Sequence, residues 1–313
     1  MRFLSTFQVP DVAVPAIERI VSADDVGFIE ALATRVFTPE DARIALANST
    51  GEPWSEARVA EFLDGAYRRG VIRLEDESFT RFAIGSFYDR LEVFVVTEPE
   101  TYHALPRETQ VALDGWYLEA YMDSLGDELR PTSDRVVSRD EAIAYVDTIE
   151  RPIWLNRCDC RTLAGRCDKP VDTCISFRGG INTMSHRGWS KAITKADAQA
   201  VIRRANAAGL MQTVNDNGIC NCCSDCCYLF RAQKARGSGA AWPVSGNVAH
   251  VDTSLCIACG LCVDRCPFGA LELVGDEMVC DAELCRGCGL CAETCPTSAI
   301  ALVAQNSTER DVQ

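Results

Sequence analysis

Eighteen cysteines constrain this chain more than any other feature, because they are confined to its second half. The chain has 313 residues, and none of the 157 residues before Cys158 is a cysteine. Secreted proteins that depend on disulfides are short and follow an export signal. The first twenty residues here contain Asp11, two prolines and no apolar signal core. We therefore interpret the cysteines as metal ligands and expect a cytoplasmic protein. No uncharged run is continuous enough to predict a membrane segment.

The end of the chain contains a repeat of two cysteine motifs. The first reads CIACGLCVDRCP and the second reads CRGCGLCAETCP, so each follows the pattern C-x2-C-x2-C-x3-C-P. Three thiolates on one tight loop can meet three corners of a cubane only if the backbone curls around it, and glycine tolerates such turns. Zinc prefers paired C-x2-C knuckles around one ion. The doubled run therefore predicts iron–sulfur cubanes rather than zinc.

Both motifs closely resemble those of the bacterial dicluster ferredoxins, over about fifty-five residues. The resemblance implies two [4Fe–4S] clusters, with the fourth cysteine of each motif ligating the other cluster. Carried over by position, the first cluster is held by Cys256, Cys259, Cys262 and Cys295. The second is held by Cys285, Cys288, Cys291 and Cys266. Cys280 lies outside the motifs, and we expect it to be a small buried hydrophobe.

The middle of the chain has nine more cysteines at less regular spacings. They are Cys158, Cys160, Cys167, Cys174, Cys220, Cys222, Cys223, Cys226 and Cys227. Iron–sulfur ligation, zinc and redox-active thiols all remain open here, and we favour one or two further [4Fe–4S] clusters. Two cubanes would use eight thiolates and leave one spare, and a single larger cluster is also conceivable. His186 could be a ligand, but a polar surface role is the simpler interpretation.

The charge distribution supports anionic clusters in the middle region. Residues 151–236 carry 14 basic and 6 acidic residues, a net charge of +8, although the whole chain has −14. A buried thiolate-bound cluster is anionic and needs compensation, so these basic residues could donate hydrogen bonds to its sulfurs. A basic surface that docks on the acidic first region is the alternative.

Four segments follow from these patterns. The capping residues and apolar spacing of residues 1–150 predict a helical, winged-helix-like domain. Its helices start near Thr38 and Ser55, and a hairpin lies at residues 71–84. Residues 151–236 form the cysteine-rich region, residues 237–249 a linker, and residues 250–313 the dicluster ferredoxin domain. The expected fold class is α+β.

Electron transfer is the function that these features favour. The chain shows no Rossmann glycine motif and no P-loop, so a flavin or metal oxidoreductase is the expected protein partner. We expect an electron-transfer subunit rather than an enzyme acting alone. One alternative is a redox-sensing regulator that binds DNA through the winged-helix-like domain, although residues 1–150 have a net charge of −15, which makes nucleic-acid binding unlikely. Another is substrate chemistry at a middle cluster with an open coordination position.

Overall fold

The computed structural model describes residues 2–239 and 241–304. Helices make up 43% and strands 18% of the chain, and the fold class is α+β, as predicted. No helix among the described residues combines the length and the apolar character needed to cross a membrane. The chain divides into two compact units. The first comprises the chain up to Glu119 with Thr162–Ala164 and Arg178–Lys191, and the second comprises Ala120–Arg161, Gly165–Phe177 and the chain from Ala192 onward.

The first unit is mostly helical around a small sheet. Its strands β1 (Val36–Phe37), β2 (Ile72–Leu74) and β3 (Phe82–Ile84) form an antiparallel sheet in the order β1-β3-β2. The β2–β3 hairpin follows two helices along the chain, in the order that the sequence predicted, and the assignment of a winged-helix-like domain stays a prediction. A 3₁₀-helix spans Asp11–Ala16, and the α-helices are α1 (Arg2–Thr6), α2 (Ile17–Ile20), α3 (Ala23–Ala31), α4 (Pro39–Thr50), α5 (Glu56–Arg68), α6 (Phe87–Thr97), α7 (Pro99–His103) and α8 (Arg107–Leu125).

Polar caps define the starts of these helices, as their sequence predicted. Thr38 accepts a hydrogen bond from the backbone N of Asp41, and the Asp41 carboxylate accepts one from the backbone N of Thr38. Ser55 caps α5 in the same way through the backbone N of Arg58. Gly70 follows α5 with a φ of 80°, in the left-handed region that glycine adopts readily.

The second unit is built on a seven-stranded sheet in the order β10-β4-β8-β9-β6-β5-β7. The pairs β4–β8, β8–β9, β9–β6 and β6–β5 are antiparallel, and β10 pairs parallel to β4. The strands are β4 (Arg135–Val137), β5 (Ile153–Arg157), β6 (Asp172–Ser176), β7 (Lys191–Ile193), β8 (Met211–Asn215), β9 (Gly218–Cys222) and β10 (Val244–Ser245). The helices of this part are α9 (Arg139–Asp147), α10 (Asp159–Ala164), α11 (Lys195–Ala207) and α12 (Tyr228–Arg236).

The two faces of this sheet carry different side chains because neighbouring residues of a strand point to opposite faces. One face packs against α9 and α11 through an aliphatic core that includes Val137, Val146, Ile175, Val201 and Ile219. The other face belongs to a second core, which contains several cysteines together with Met211, Phe230 and Trp242. Successive side chains of β6 and β9 therefore point alternately to an aliphatic core on one face of the sheet and to a cysteine-lined face on the other.

The chain continues from this sheet into the C-terminal repeats. The sequence interpretation assigned residues 237–249 to a linker. In the structure, residues 244–245 form β10 and residues 247–249 belong to β11 (Asn247–Val251). Trp242, in the same segment, is fully buried. Strand β11 pairs antiparallel with β14, and β12 pairs antiparallel with β13. The elements are β11 (Asn247–Val251), α13 (Leu261–Arg265), β12 (Leu271–Val274), β13 (Glu277–Cys280), α14 (Leu290–Thr294) and β14 (Ile300–Ala304).

Candidate metal centres

Two cavities lie in the C-terminal repeats, one at each cysteine motif. The cysteines that line the first are Cys256, Cys259, Cys262 and Cys295. The cysteines that line the second are Cys266, Cys280, Cys285, Cys288 and Cys291. Each cavity thus receives three cysteines from one motif and the fourth from the other. Helices α13 and α14, which begin at the left-handed residues Gly260 and Gly289, carry the third cysteine of each motif.

Equivalent backbone hydrogen bonds reach the sulfurs of both motifs. N–H donors near a thiolate stabilise its charge and raise the potential of a cluster bound to it. The donor and acceptor pairs are Ala258 to Cys256 at 3.4 Å and Gly287 to Cys285 at 3.4 Å, and Ala270 to Cys266 at 3.3 Å and Ala299 to Cys295 at 3.2 Å. The duplication in sequence therefore extends to the hydrogen bonding of the ligand sulfurs.

Burial alters the titration of two thiols in the second cavity. It raises the pKa of Cys288 to about 12 and the pKa of Cys291 to about 12. Such thiols stay protonated at neutral pH unless a cation takes the place of the proton. The cavity is lined by sulfur atoms, apolar residues, glycines and Arg286, which fits an anionic iron–sulfur cluster.

Cys280 differs from the expectation of a small buried hydrophobe. It is half-buried at the end of β13, and its thiol is hydrogen-bonded to Cys285. That hydrogen bond lowers the pKa of Cys285 to about 6. Pairing of β12 with β13 brings Cys280 to this place, which the spacing of the motif does not show.

Comparison with protein families identifies this part of the chain. The model of a 4Fe–4S binding domain matches residues 249–272 and 281–301, which are the two repeats. The C-terminal region is a 4Fe–4S binding domain in two repeats. This confirms the predicted resemblance to dicluster ferredoxins and supports an iron–sulfur electron-transfer role. No curated protein matches the chain.

The cysteines of the middle region lie outside the 4Fe–4S binding domain, and the structure divides them into two sets. The larger set contains six cysteines and is called the six-thiol ring. Its members are Cys158, Cys160, Cys174, Cys220, Cys222 and Cys227. The smaller set, called the cysteine triad, consists of Cys167, Cys223 and Cys226. No disulfide links cysteines in the described part of the chain.

Strand alternation assembles the six-thiol ring. Cys220 and Cys222 are two residues apart in β9 and point to the same face, and Cys174 comes from the neighbouring β6. Cys158 caps the start of α10, and Cys227 immediately precedes the first residue of α12. The ring therefore draws on two strands and two helix starts that are distant in sequence.

Each sulfur of the ring lies next to two other ring sulfurs, so the contacts close on themselves. The succession is Cys158, Cys160, Cys227, Cys222, Cys220, Cys174 and back to Cys158. The pKa values alternate around it. Hydrogen bonding with neighbouring thiols lowers the pKa of Cys158, Cys220 and Cys227. The same hydrogen bonding raises the pKa of the three cysteines between them, Cys160, Cys174 and Cys222. Six cysteine sulfurs gathered in one buried ring are a donor set that fits a metal centre.

Arg161 provides the positive charge next to these sulfurs. It is 3% exposed, and its guanidinium donates hydrogen bonds to the carbonyl oxygens of Pro170 (2.8 Å) and Asn221 (2.6 Å). Its Nε has no partner among the described atoms. Burial opposes the charge of Arg161, but the thiolates of Cys158 and Cys223 raise its pKa. This arginine is thus positioned between both sets of cysteines.

The cysteine triad is more compact than the ring. Its three sulfurs lie within 4.8 Å of one another, and the distance from the Sγ of Cys167 is 3.8 Å to Cys223 and 3.6 Å to Cys226. Cys223 and Cys226 are buried, whereas Cys167 is half-buried. The sequence interpretation treated all nine middle cysteines as one group of possible ligands and could not predict this division into two sets.

Other side chains at these centres carry weaker sequence signals. The hydroxyl of Thr213 lies 3.6 Å from the Sγ of Cys222. Burial raises the pKa of Tyr121, and the charges of Cys227 and Asp134 add to the shift. His186 pairs with the hydroxyl of Tyr67 at 2.7 Å and belongs to neither set of cysteines. No sequence pattern indicated Thr213 at this place.

Proposed function

We propose that the protein is an iron–sulfur electron-transfer protein or subunit, which relays single electrons through [4Fe–4S] clusters to or from a partner oxidoreductase. The exchange of the fourth cysteine between the two C-terminal cavities carries this proposal. It keeps two clusters next to each other, so that one electron can pass between them. A protein that only needed metal for stability would not require two adjacent redox centres.

The proposed ligand sets make a direct test possible. Cys266 belongs to the first motif but would ligate the second cluster, and Cys295 would do the converse. Substituting C266S should therefore change the same EPR signal and potential as C288S, and C295S the same signal as C259S. If C266S instead matched C259S, each motif would bind its own cluster and the exchange would be wrong.

The six-thiol ring supports one further iron–sulfur centre. A single tetrahedral ion accepts four thiolates, so six sulfurs in a closed ring serve more than one metal atom. Iron and acid-labile sulfide are measured per chain after anaerobic purification. The 4Fe–4S binding domain alone accounts for about eight irons, and a further cluster raises this number. Eight irons together with two or more zinc ions would instead make the ring a structural zinc centre.

A protein partner with a basic surface fits this electron carrier. Residues 250–313 carry 3 basic and 10 acidic residues, and complementary charge accelerates the encounter of redox partners. Cytochrome c, which is basic, serves as a probe acceptor in stopped-flow mixing with the dithionite-reduced protein. We expect oxidation of the protein and reduction of the cytochrome in single-electron steps. Absence of transfer under these conditions would contradict the relay.

The contacts of α5 do not favour the alternative of DNA binding. Arg69 is paired with the buried Asp25 at 2.8 Å. The guanidinium of Arg58 lies 3.8 Å above the ring of Trp54. Arginines held in this way are less available to phosphates. A salt-dependent mobility shift of duplex DNA by the holoprotein would revive the alternative, and no shift at low salt would dispose of it.

A further inference from the structure

The cysteine triad differs in geometry from every other group of sulfurs in the described chain. It is the one group of three cysteines there whose sulfurs all lie within 4.8 Å of one another. We propose that Cys167, Cys223 and Cys226 bind a single zinc-class divalent ion, whose fourth coordination position is open to water or a small thiolate. This site is separate from the electron relay and does not depend on it.

The distances between the sulfurs match one shared ion. A tetrahedron with metal–sulfur bonds of about 2.3 Å has edges of about 3.8 Å. The Sγ of Cys167 lies 3.8 Å from Cys223 and 3.6 Å from Cys226. A cubane binds each thiolate to a different iron, which separates the sulfurs further. The C-terminal cysteines, which line the two cavities of the repeats, form no such compact group among the described residues.

The local sequence of the triad is that of a zinc knuckle. Cys223-Ser224-Asp225-Cys226 is a C-x2-C turn, the usual half of a structural zinc site. The backbone N of Cys226 donates a hydrogen bond to the Sγ of Cys223 at 3.4 Å, which orients the sulfur. Cys167, from the loop after α10, supplies the third ligand.

Adjacent cysteines keep this site separate from the six-thiol ring. Cys222 and Cys227 belong to the ring, whereas their neighbours Cys223 and Cys226 belong to the triad. In the CCSDCC segment, the two outermost cysteines thus belong to the six-thiol ring and the two inner cysteines belong to the cysteine triad. Two centres built on one short turn explain why nine cysteines do not divide into two sets of four.

Three ligands leave one position of a tetrahedral ion unfilled. No histidine, aspartate, glutamate or further cysteine of the described chain joins the group within 4.8 Å. Cys223 and Cys226 are 1% and 0% exposed, so solvent approaches from the side of the half-buried Cys167. Three protein ligands with an open position are typical of zinc that binds an exogenous ligand.

The metal content of the full chain tests the site. We compare wild type with C223S/C226S and with S224A, a control in the same turn. Wild type and S224A should contain one zinc per chain in addition to iron. C223S/C226S should lose that zinc and keep the iron and the EPR signals of the 4Fe–4S binding domain. Loss of iron with unchanged zinc, or a wild type that neither contains zinc nor takes it up, would overturn the proposal.

A spectroscopic measurement covers the case in which the double variant does not fold. Wild type is loaded with Co²⁺, which reports tetrahedral thiolate ligation through its charge-transfer and d–d bands. We expect these bands, and we expect 2-mercaptoethanol to shift them by occupying the open position. Bands that the thiol leaves unchanged would show that the fourth position is filled. If the protein did not transfer electrons, the expected zinc content and Co²⁺ spectrum would be unchanged. The two proposals can therefore fail independently.

Discussion

Ala258 and Gly287 occupy equivalent positions in the two repeats. Position 258 accommodates the side chain of alanine, whereas position 287 does not. Both have left-handed backbones, with φ of 53° and 60°. A Cβ on Gly287 would collide with the carbonyl oxygen of Asn247 and lie 2.6 Å from the Oγ of Ser245. At the scale of single residues, the packing of β11 against the second motif therefore demands glycine, while the first motif tolerates a side chain at the cost of backbone strain.

Substituting G287A should remove the second cluster while A258G is tolerated. The added methyl group must displace backbone, so we expect loss of about four of the roughly eight irons of the domain. A258G relieves left-handed strain and should change the stability by less than about 1 kcal/mol. Iron content and anaerobic guanidinium bleaching measure both effects. A G287A protein with full iron content would contradict this account of the turn.

Arg161 should control the potential of the middle centre. Because it is the buried cation next to Cys158 and Cys223, R161M leaves their negative charge uncompensated. We expect the reduction potential of the six-thiol centre to fall by roughly 60 mV, the tenfold change for one electron, and metal to be retained less well. Redox titration followed by EPR measures the shift. R203M, at an exposed arginine of α11, is the control, and an equal shift there would argue for net charge instead.

Elements rather than motifs decide how the cysteines are grouped. β9 contributes Cys220 and Cys222 to one face because strand residues alternate, and the turn after it sends Cys223 away from that face. The alternation of β9 is visible in the sequence. Its pairing with β6, which adds Cys174 to the ring, is a tertiary contact between segments more than forty residues apart and has no local signal.

Arg265 links the 4Fe–4S binding domain to the end of a helix in the middle region. It lies in α13 and donates hydrogen bonds to the carbonyl oxygens of Asn206 (2.7 Å) and Ala207 (2.9 Å) at the end of α11. A cation at a helix C-terminus is favourable. R265M should lower the free energy of unfolding by about 2 kcal/mol. R265K keeps the charge and should lose less. Equal guanidinium midpoints for R265M and wild type would exclude this contribution.

At the scale of the whole molecule, charge is distributed by region. Residues 1–150 have a net charge of −15 and residues 151–236 a net charge of +8. The exposed Asp276 and Glu277, at the β12–β13 turn, lie in the acidic surface of the 4Fe–4S binding domain. Such surfaces steer a charged partner, and salt screens the effect within about 10 Å at 0.1 M.

Neutralising that turn should slow electron transfer to a basic acceptor. For D276N/E277Q we expect a several-fold lower association rate constant with cytochrome c at low ionic strength, and a difference that disappears at high salt. Stopped-flow kinetics provide both values. D11N/E18Q removes the same charge from the first unit, and an equal decrease there would show that net charge, not the local surface, governs the encounter.

The sequence by itself determined the local features of this protein. The cysteine motifs identified a 4Fe–4S binding domain because their ligands are neighbours along the chain, and the capping residues Thr38 and Ser55 marked where α4 and α5 begin. The tertiary structure alone decided how the nine middle cysteines divide and that Cys280 contacts Cys285. Those contacts join strands and turns far apart in sequence, and no local pattern encodes which distant segments pair.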